Sequence, residues 1–123
     1  MKAETTLMQK IQLKASELGW RLFRNNVGLG WTGRPVPVKG TNHVLLQNAK
    51  RIRFGLAIGS SDLVGIRPVK ITADMVGTTI GQFVAREIKT PKGHATSEQI
   101  DFVLMVNRLG GDGLIISSVN AIE

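Results

Sequence analysis

Between residues 83 and 119 the hydrophobic pattern changes its period twice, and this constrains the fold more than any other feature of the chain. Phe83 to Lys89 reads as a strand. Residues 97 to 109 then repeat at helical spacing, with Ile100, Val103, Leu104 and Asn107 on one face, and Gly110-Gly111 stops the run. Leu114 to Val119 follows as an apolar, β-branched run that favours extended backbone. A strand, a helix and a strand in that order place the chain in the α/β class.

The rest of the chain extends this pattern. Residues 4 to 18 read as a helix on Met8, Ile11, Ala15 and Leu18, stopped by Gly19. Trp20 to Arg24 reads as a strand, broken by Asn25-Asn26 and by glycines 28, 30 and 33. Pro35 and Pro37 keep the next stretch extended or looped, and residues 44 to 58 hold one or two short strands. Leu63 to Ile66 is a strand directly after Gly59-Ser60-Ser61-Asp62, with a loop or hairpin from there to Gly81. The expected order is helix, strand, strand, strand, helix, strand, with an irregular glycine-rich insertion. The chain has 123 residues, 42% hydrophobic and 20% charged, with no repeat or linker, which fits one domain over residues 1–123.

Composition excludes several kinds of chemistry. Cysteine is absent, so disulfides, zinc–thiolate sites and thiol nucleophiles are all out, and a reducing compartment is the natural setting. Met1 to Lys10 lack the long apolar run of a signal peptide, and no run reaches the roughly 18 residues of a membrane-spanning helix. No long helix pairs a basic face with an apolar one, so no membrane partner is expected, and the expected location is the cytoplasm. His43 and His94 lack metal-ligand spacing. Gly28-Leu29-Gly30 and Gly110-Gly111-Asp112-Gly113 lack the Lys-Ser/Thr of a phosphate-binding loop, so no nucleotide cofactor is expected. Sixteen Lys and Arg against nine Asp and Glu give +7, which favours a polyanionic partner, most commonly nucleic acid. Many soluble proteins are equally basic without such a partner, so charge alone leaves the question open.

Glu87-Ile88-Lys89 carries the first sign of chemistry. Alternate residues of a strand share a face, so Glu87 and Lys89 project together. Alone, the pair could be a plain surface ion pair. Asp62, at the end of a glycine–serine turn, adds a second carboxylate if the two strands are neighbours. Two hard oxygen donors suit Mg²⁺ or Mn²⁺, with the remaining positions taken by water and substrate phosphate. A lysine beside them can orient the attacking water and offset charge on phosphoryl oxygens.

Four stretches in order, Arg24-Asn25-Asn26, Gly59 to Asp62, Glu87-Ile88-Lys89-Thr90-Pro91-Lys92-Gly93 and Ser97-Glu98-Gln99, resemble the VRR-NUC (virus-type replication–repair nuclease) domain of the PD-(D/E)XK nuclease superfamily. The resemblance spans nearly the whole chain, and its specificity lies in the ordered set, since each stretch alone is weak. It implies a restriction-endonuclease-like fold with a mixed central sheet flanked by helices. It also implies a divalent metal held by Asp62, Glu87 and the backbone carbonyl of Ile88, with Lys89 positioning the water. Free-standing members of this size come from phages and bacteria and look like homodimers that cut branched DNA, including four-way junctions. The resemblance therefore implies a DNA endonuclease, branched DNA as substrate and a second copy as partner.

Several residues carry two readings. Glu4 falls on the stripe of Met8, Ile11, Ala15 and Leu18, which suits a further metal ligand; the helix dipole in the first turn is the other explanation. Gln99 fits a capping box with Thr96, but the resemblance sets it beside the catalytic strand, and the site role is the one adopted. Arg24, Asn25 and Asn26 are read as contacting phosphate or orienting the carboxylates, against a polar turn. Lys92 and His94 are read as reaching a bound DNA backbone, against solvated loop residues. Arg86 departs from the apolar residue expected on a buried strand, so either that face is open or Arg86 meets an acid. The alternatives to a junction endonuclease are a nickase or flap nuclease on the same fold, a non-catalytic DNA-binding module, and a basic scaffold that binds no metal.

Overall fold

The computed structural model describes residues 2–122. Its elements are α1 (Lys2–Glu17), β1 (Arg21–Arg24), β2 (Gly28–Pro37), β3 (Val44–Phe54), β4 (Leu63–Ile66), β5 (Val84–Ile88), α2 (Ser97–Arg108) and β6 (Asp112–Ile116), with short 3₁₀ turns at Ala73–Met75 and Val119–Ile122. This is a mixed α/β chain. The strands pair as β1 with β4, β2 with β3 and β5 with β6. In place of one mixed sheet, the described residues thus show three two-stranded pairs. No helix among them is long and apolar enough to cross a membrane. The chain divides into two units, Phe23–Val64 and the remainder.

The larger unit is built around α2. Thr96 caps the helix: its hydroxyl accepts from Gln99 N, and Gln99 Oε1 accepts from Thr96 N. At the other end Gly110, at φ 93°, donates to Asn107 O, and Gly111 donates to Val106 O, which closes the helix in a Schellman turn. The Asn107 side chain then donates to Gly113 O and accepts from Gly113 N, tying the start of β6 to the helix. β6 pairs with β5 in parallel, Val84 opposite Asp112 and Ile88 opposite Ile116. Val103, Met105, Val106 and Ile116 are buried here, together with Ala15 and Ile66. The buried stripe of α2 is not the expected one, because Ile100 and Leu104 are exposed. Gly113 explains the rotation: a Cβ there would lie 3.0 Å from Val103 O, so the helix is seated on Val103 and Val106 against bare backbone.

Helix α1 is rotated in the same way. Thr5, Met8, Gln12 and Ala15 are its less exposed positions, whereas Ile11 and Leu18 are exposed. Gln12 displaces Ile11 from the inward face because its amide donates to Leu22 O, and Trp20 N donates to Ala15 O. The Arg67 guanidinium lies 5.3 Å from the Trp20 ring centre.

The smaller unit corrects the expected irregular insertion. Its glycines and prolines lie inside an antiparallel ribbon of β2 and β3, which pair from Gly28–Phe54 to Pro37–Val44. The residues read as strand breakers have local reasons to be there. Gly28 and Gly30 leave room for the Phe54 ring, which a Cβ on Gly28 would meet at 2.8 Å. The register shifts between Thr32 and Arg34, so that Gly33 faces both Asn48 and Ala49, a β-bulge with Asn48 at φ 53°. Val38 N donates to His43 O, so by alternation along the ladder Pro35 and Pro37 fall at non-hydrogen-bonded positions, where a missing N–H costs nothing. Prolines and a bulge are also what keeps a strand from accepting another neighbour, which accounts for a ribbon that pairs only with itself.

Candidate active site

Strand β5 ends in the residues with the most chemistry. Glu87 and Lys89 share a face, and Lys89 Nζ lies 3.2 Å from Glu87 Oε1. Both side chains are mostly covered, at 30% and 21% exposure, so the pair is sheltered from bulk water more than a surface ion pair is. The strand is ended by Pro91, which favours extended backbone at Thr90, and Gly93 N donates to Thr90 O to close the turn. Lys92 and His94 occupy that turn and its exit, and both are exposed.

The backbone of β5 supplies a further oxygen. Lys89 N donates to Ile116 O across the parallel pair. The peptide bonds are all trans, so the carbonyl of Ile88, in the same peptide unit, points away from β6. The β5–β6 pairing leaves it unused, and it lies on the same short segment as the Glu87 carboxylate. A carboxylate and a carbonyl outside the β5–β6 ladder, both hard oxygen donors, fit a Mg²⁺- or Mn²⁺-type ion that keeps several waters. Among the described residues no three His, Cys, Asp or Glu side chains cluster as a metal site.

Glu87 also opens onto a cavity of about 270 Å³ whose other wall is the first turns of α2, with Glu98, Gln99, Phe102 and Val103. Gln99 is thus near β5, and its oxygen and backbone N–H are both committed to the cap with Thr96. The capping box, the other reading of Gln99, is thus formed, because Thr96 is extended at the N-terminus and presents both groups to it, and Gln99 at the same time lines the cavity beside Glu87. Glu98 was not anticipated on this wall. Its carboxyl is held below its ordinary value, chiefly by its own backbone N–H, and then by the Thr96 and Ser97 hydroxyls. The signal was in the sequence, since an acid in the first turn after a Thr cap is where a helix N-terminus favours one. Arg86 meets an acid: its guanidinium lies 2.8 Å from Asp112 Oδ2 and also donates to Asp112 O and Ile122 O.

Asp62 is held by a different device. Asn25 is buried and sits inside the loop that ends at Asp62. Its Nδ2 donates to Ser60 Oγ at 2.7 Å and to Ser61 O at 2.9 Å, and its Oδ1 accepts from Leu56 N. Its backbone N–H donates to Asp62 O. Both amide protons are spent within the loop and leave none for a phosphate; of the two roles read from the sequence, these bonds fit the ordering of the segment that leads to Asp62. The Asp62 side chain is exposed, as are Arg24 and Asn26. Glu4 is exposed too, so the inward placement expected for it is corrected, and the rotated face of α1 is the reason.

No family model, curated protein or solved structure matches the chain.

Proposed function

We propose that the protein is a divalent-metal-dependent DNA endonuclease of the VRR-NUC type, with a restriction-endonuclease-like fold, acting on branched DNA as a homodimer. The observation that carries this reading is the end of β5, where a covered Glu87–Lys89 pair flanks a carbonyl turned off the sheet. Glu87 and the Ile88 carbonyl would hold the ion. Bound there, Mg²⁺ or Mn²⁺ would polarise the scissile phosphate and acidify a coordinated water. Lys89 spends one of its three N–H donors on Glu87 and keeps two for the water or a phosphoryl oxygen, where charge grows as the bond breaks. Asp62 is the second carboxylate of this reading, and Asn25 orders its loop.

The test is cleavage of a labelled four-way junction, beside linear duplex, in Mg²⁺, Mn²⁺ and EDTA. Wild type should make metal-dependent paired cuts at the junction. Glu87→Ala should lose about a hundredfold or more in rate while binding the junction as well as wild type, since a lost charge-stabilising contact costs that much. Binding without cutting in either metal would leave a DNA-binding module in place of a nuclease.

A further inference from the structure

The β2–β3 ribbon has no part in the chemistry above, yet its unit holds most of the protein's net positive charge. Phe23–Val64 carries six Lys and Arg (Arg24, Arg34, Lys39, Lys50, Arg51 and Arg53) against one acid, Asp62, a net of +5. The rest of the chain carries ten against eight, a net of +2, and the two nets make the +7 of the whole. Every residue of β3 is exposed, Leu45 at 65%, and no apolar residue of the described unit is buried. A lone two-stranded ribbon is marginal in water. One that exposes both faces and also concentrates positive charge calls for a partner that supplies negative charge.

The register arranges these groups. Trp31 lies opposite Arg51 and Leu29 opposite Arg53, which sets Trp31, Arg51 and Arg53 on one face. Arg51 and Arg53 are two residues apart along the strand, about 7 Å. The Arg51 guanidinium lies 5.5 Å from the Trp31 ring centre, so the ring props the cation. A guanidinium held by its face keeps its N–H edge for bidentate contact with a phosphate. Lys50, opposite Thr32, projects from the other face, and Arg34, opposite Gln47, adds charge beyond the bulge, so both faces of the ribbon are basic.

We propose that the β2–β3 ribbon is a DNA-docking arm that binds the sugar–phosphate backbone through Arg34, Lys50, Arg51 and Arg53, with Trp31 presetting Arg51. The choice of DNA as the polyanion rests on the nuclease reading. The shape supports it independently, since the major groove of B-form DNA admits a two-stranded ribbon. A second copy of the ribbon is the poorer occupant, because a segment whose one acid is Asp62 would meet its own positive charge.

The test separates this inference from the nuclease reading by measuring binding and cleavage apart. Fluorescence anisotropy with a labelled junction and a labelled duplex, in EDTA over a salt series, compares wild type with Lys50→Ala/Arg51→Ala/Arg53→Ala. Circular dichroism and sedimentation velocity monitor fold and assembly. The triple variant should bind both DNAs at least about tenfold more weakly, with a salt slope shallower by about 2 to 3, since each lost phosphate contact removes about 0.9. Arg51→Lys/Arg53→Lys should keep most of the slope. Should the triple variant misfold, Arg34→Gln/Lys50→Gln carries the test, with a slope shallower by about 2 expected. Equal affinity and slope in a folded charge-removal variant, or a changed assembly state with unchanged DNA affinity, overturns the docking arm and leaves the nuclease reading standing. Wild type that binds through the ribbon but cuts in neither metal sinks the nuclease reading alone. Wild type that binds neither DNA overturns the arm.

Discussion

The β5–α2–β6 segment and the β2–β3 ribbon are each built on one pair of strands, yet they are stabilised in opposite ways. The first buries Val103, Met105, Val106 and Ile116 and ties its loops with a capping box, a Schellman turn and the Asn107–Gly113 bonds. The second buries no residue at all, and the one buried side chain of its unit is Asn25, which clamps the loop beyond the ribbon. Packing in one place and polar clamping in the other show that the chain concentrates its core around α2 and β6, beside the strand that carries Glu87. The basic ribbon is left exposed.

The sharpest way to break this comparison is to remove apolar volume from each segment. Val106 is 0% exposed, so Val106→Ala should cost about 2 kcal/mol, from lost burial and the cavity left behind. Ile52→Ala on the exposed ribbon should change stability by less than about 0.5 kcal/mol. Urea unfolding followed by circular dichroism measures both. Comparable losses would mean that the ribbon packs against something in solution.

A smaller effect tests the polar clamp. Asn25→Ala removes three side-chain hydrogen bonds and leaves Leu56 N and Ser61 O to find water. It should cost about 1 to 2 kcal/mol. The loss should appear as faster hydrogen exchange and easier proteolysis over residues 55–62, with α2 amides unchanged. Faster exchange in α2 as well would show that the clamp also supports the packed segment, and the contrast would fail.

The same contrast decides what could be read from the sequence. Where local signals agree with the tertiary environment, the reading was close: β4 falls on Leu63–Ile66 as expected, and β5 and α2 differ from the expected spans only at their ends. Glu87 and Lys89 do share a face, because strand alternation survives whatever else packs around it. The helix faces were misjudged by about one residue because the choice depends on the opposing surface: Gly113 for α2, and the Leu22 carbonyl bonded by Gln12 for α1. The ribbon was least legible. Its glycines and prolines are strand breakers on average, and only the Phe54 ring, the bulge at Gly33 and the ladder phase make them strand residues here. Asn25 was read as contacting phosphate or orienting the carboxylates; only its bonds to Ser60, Ser61 and Leu56 show that its amide is spent on the loop that carries Asp62.

The smallest predicted effect is that acid weakens the packed unit through specific carboxylates. Glu98 is depressed chiefly by its own backbone N–H, and Asp74 chiefly by the Thr72 hydroxyl; both lie outside Phe23–Val64. A carboxyl whose folded pKa lies below its unfolded value stabilises the fold at any pH above the unfolded value. That contribution fades as the pH falls through the ordinary carboxylate range towards the depressed folded value. Both groups are fully exposed, so each effect is small and screened by salt. Glu98→Gln should therefore lower the thermal midpoint slightly at pH 7, and the gap from wild type should narrow steadily as the pH falls below the ordinary carboxylate range. The Leu56 amide, held by Asn25, should exchange at the same rate in both proteins. A gap that stays constant as the pH falls below the ordinary carboxylate range would assign the loss to helix packing and not to the charge at the start of α2.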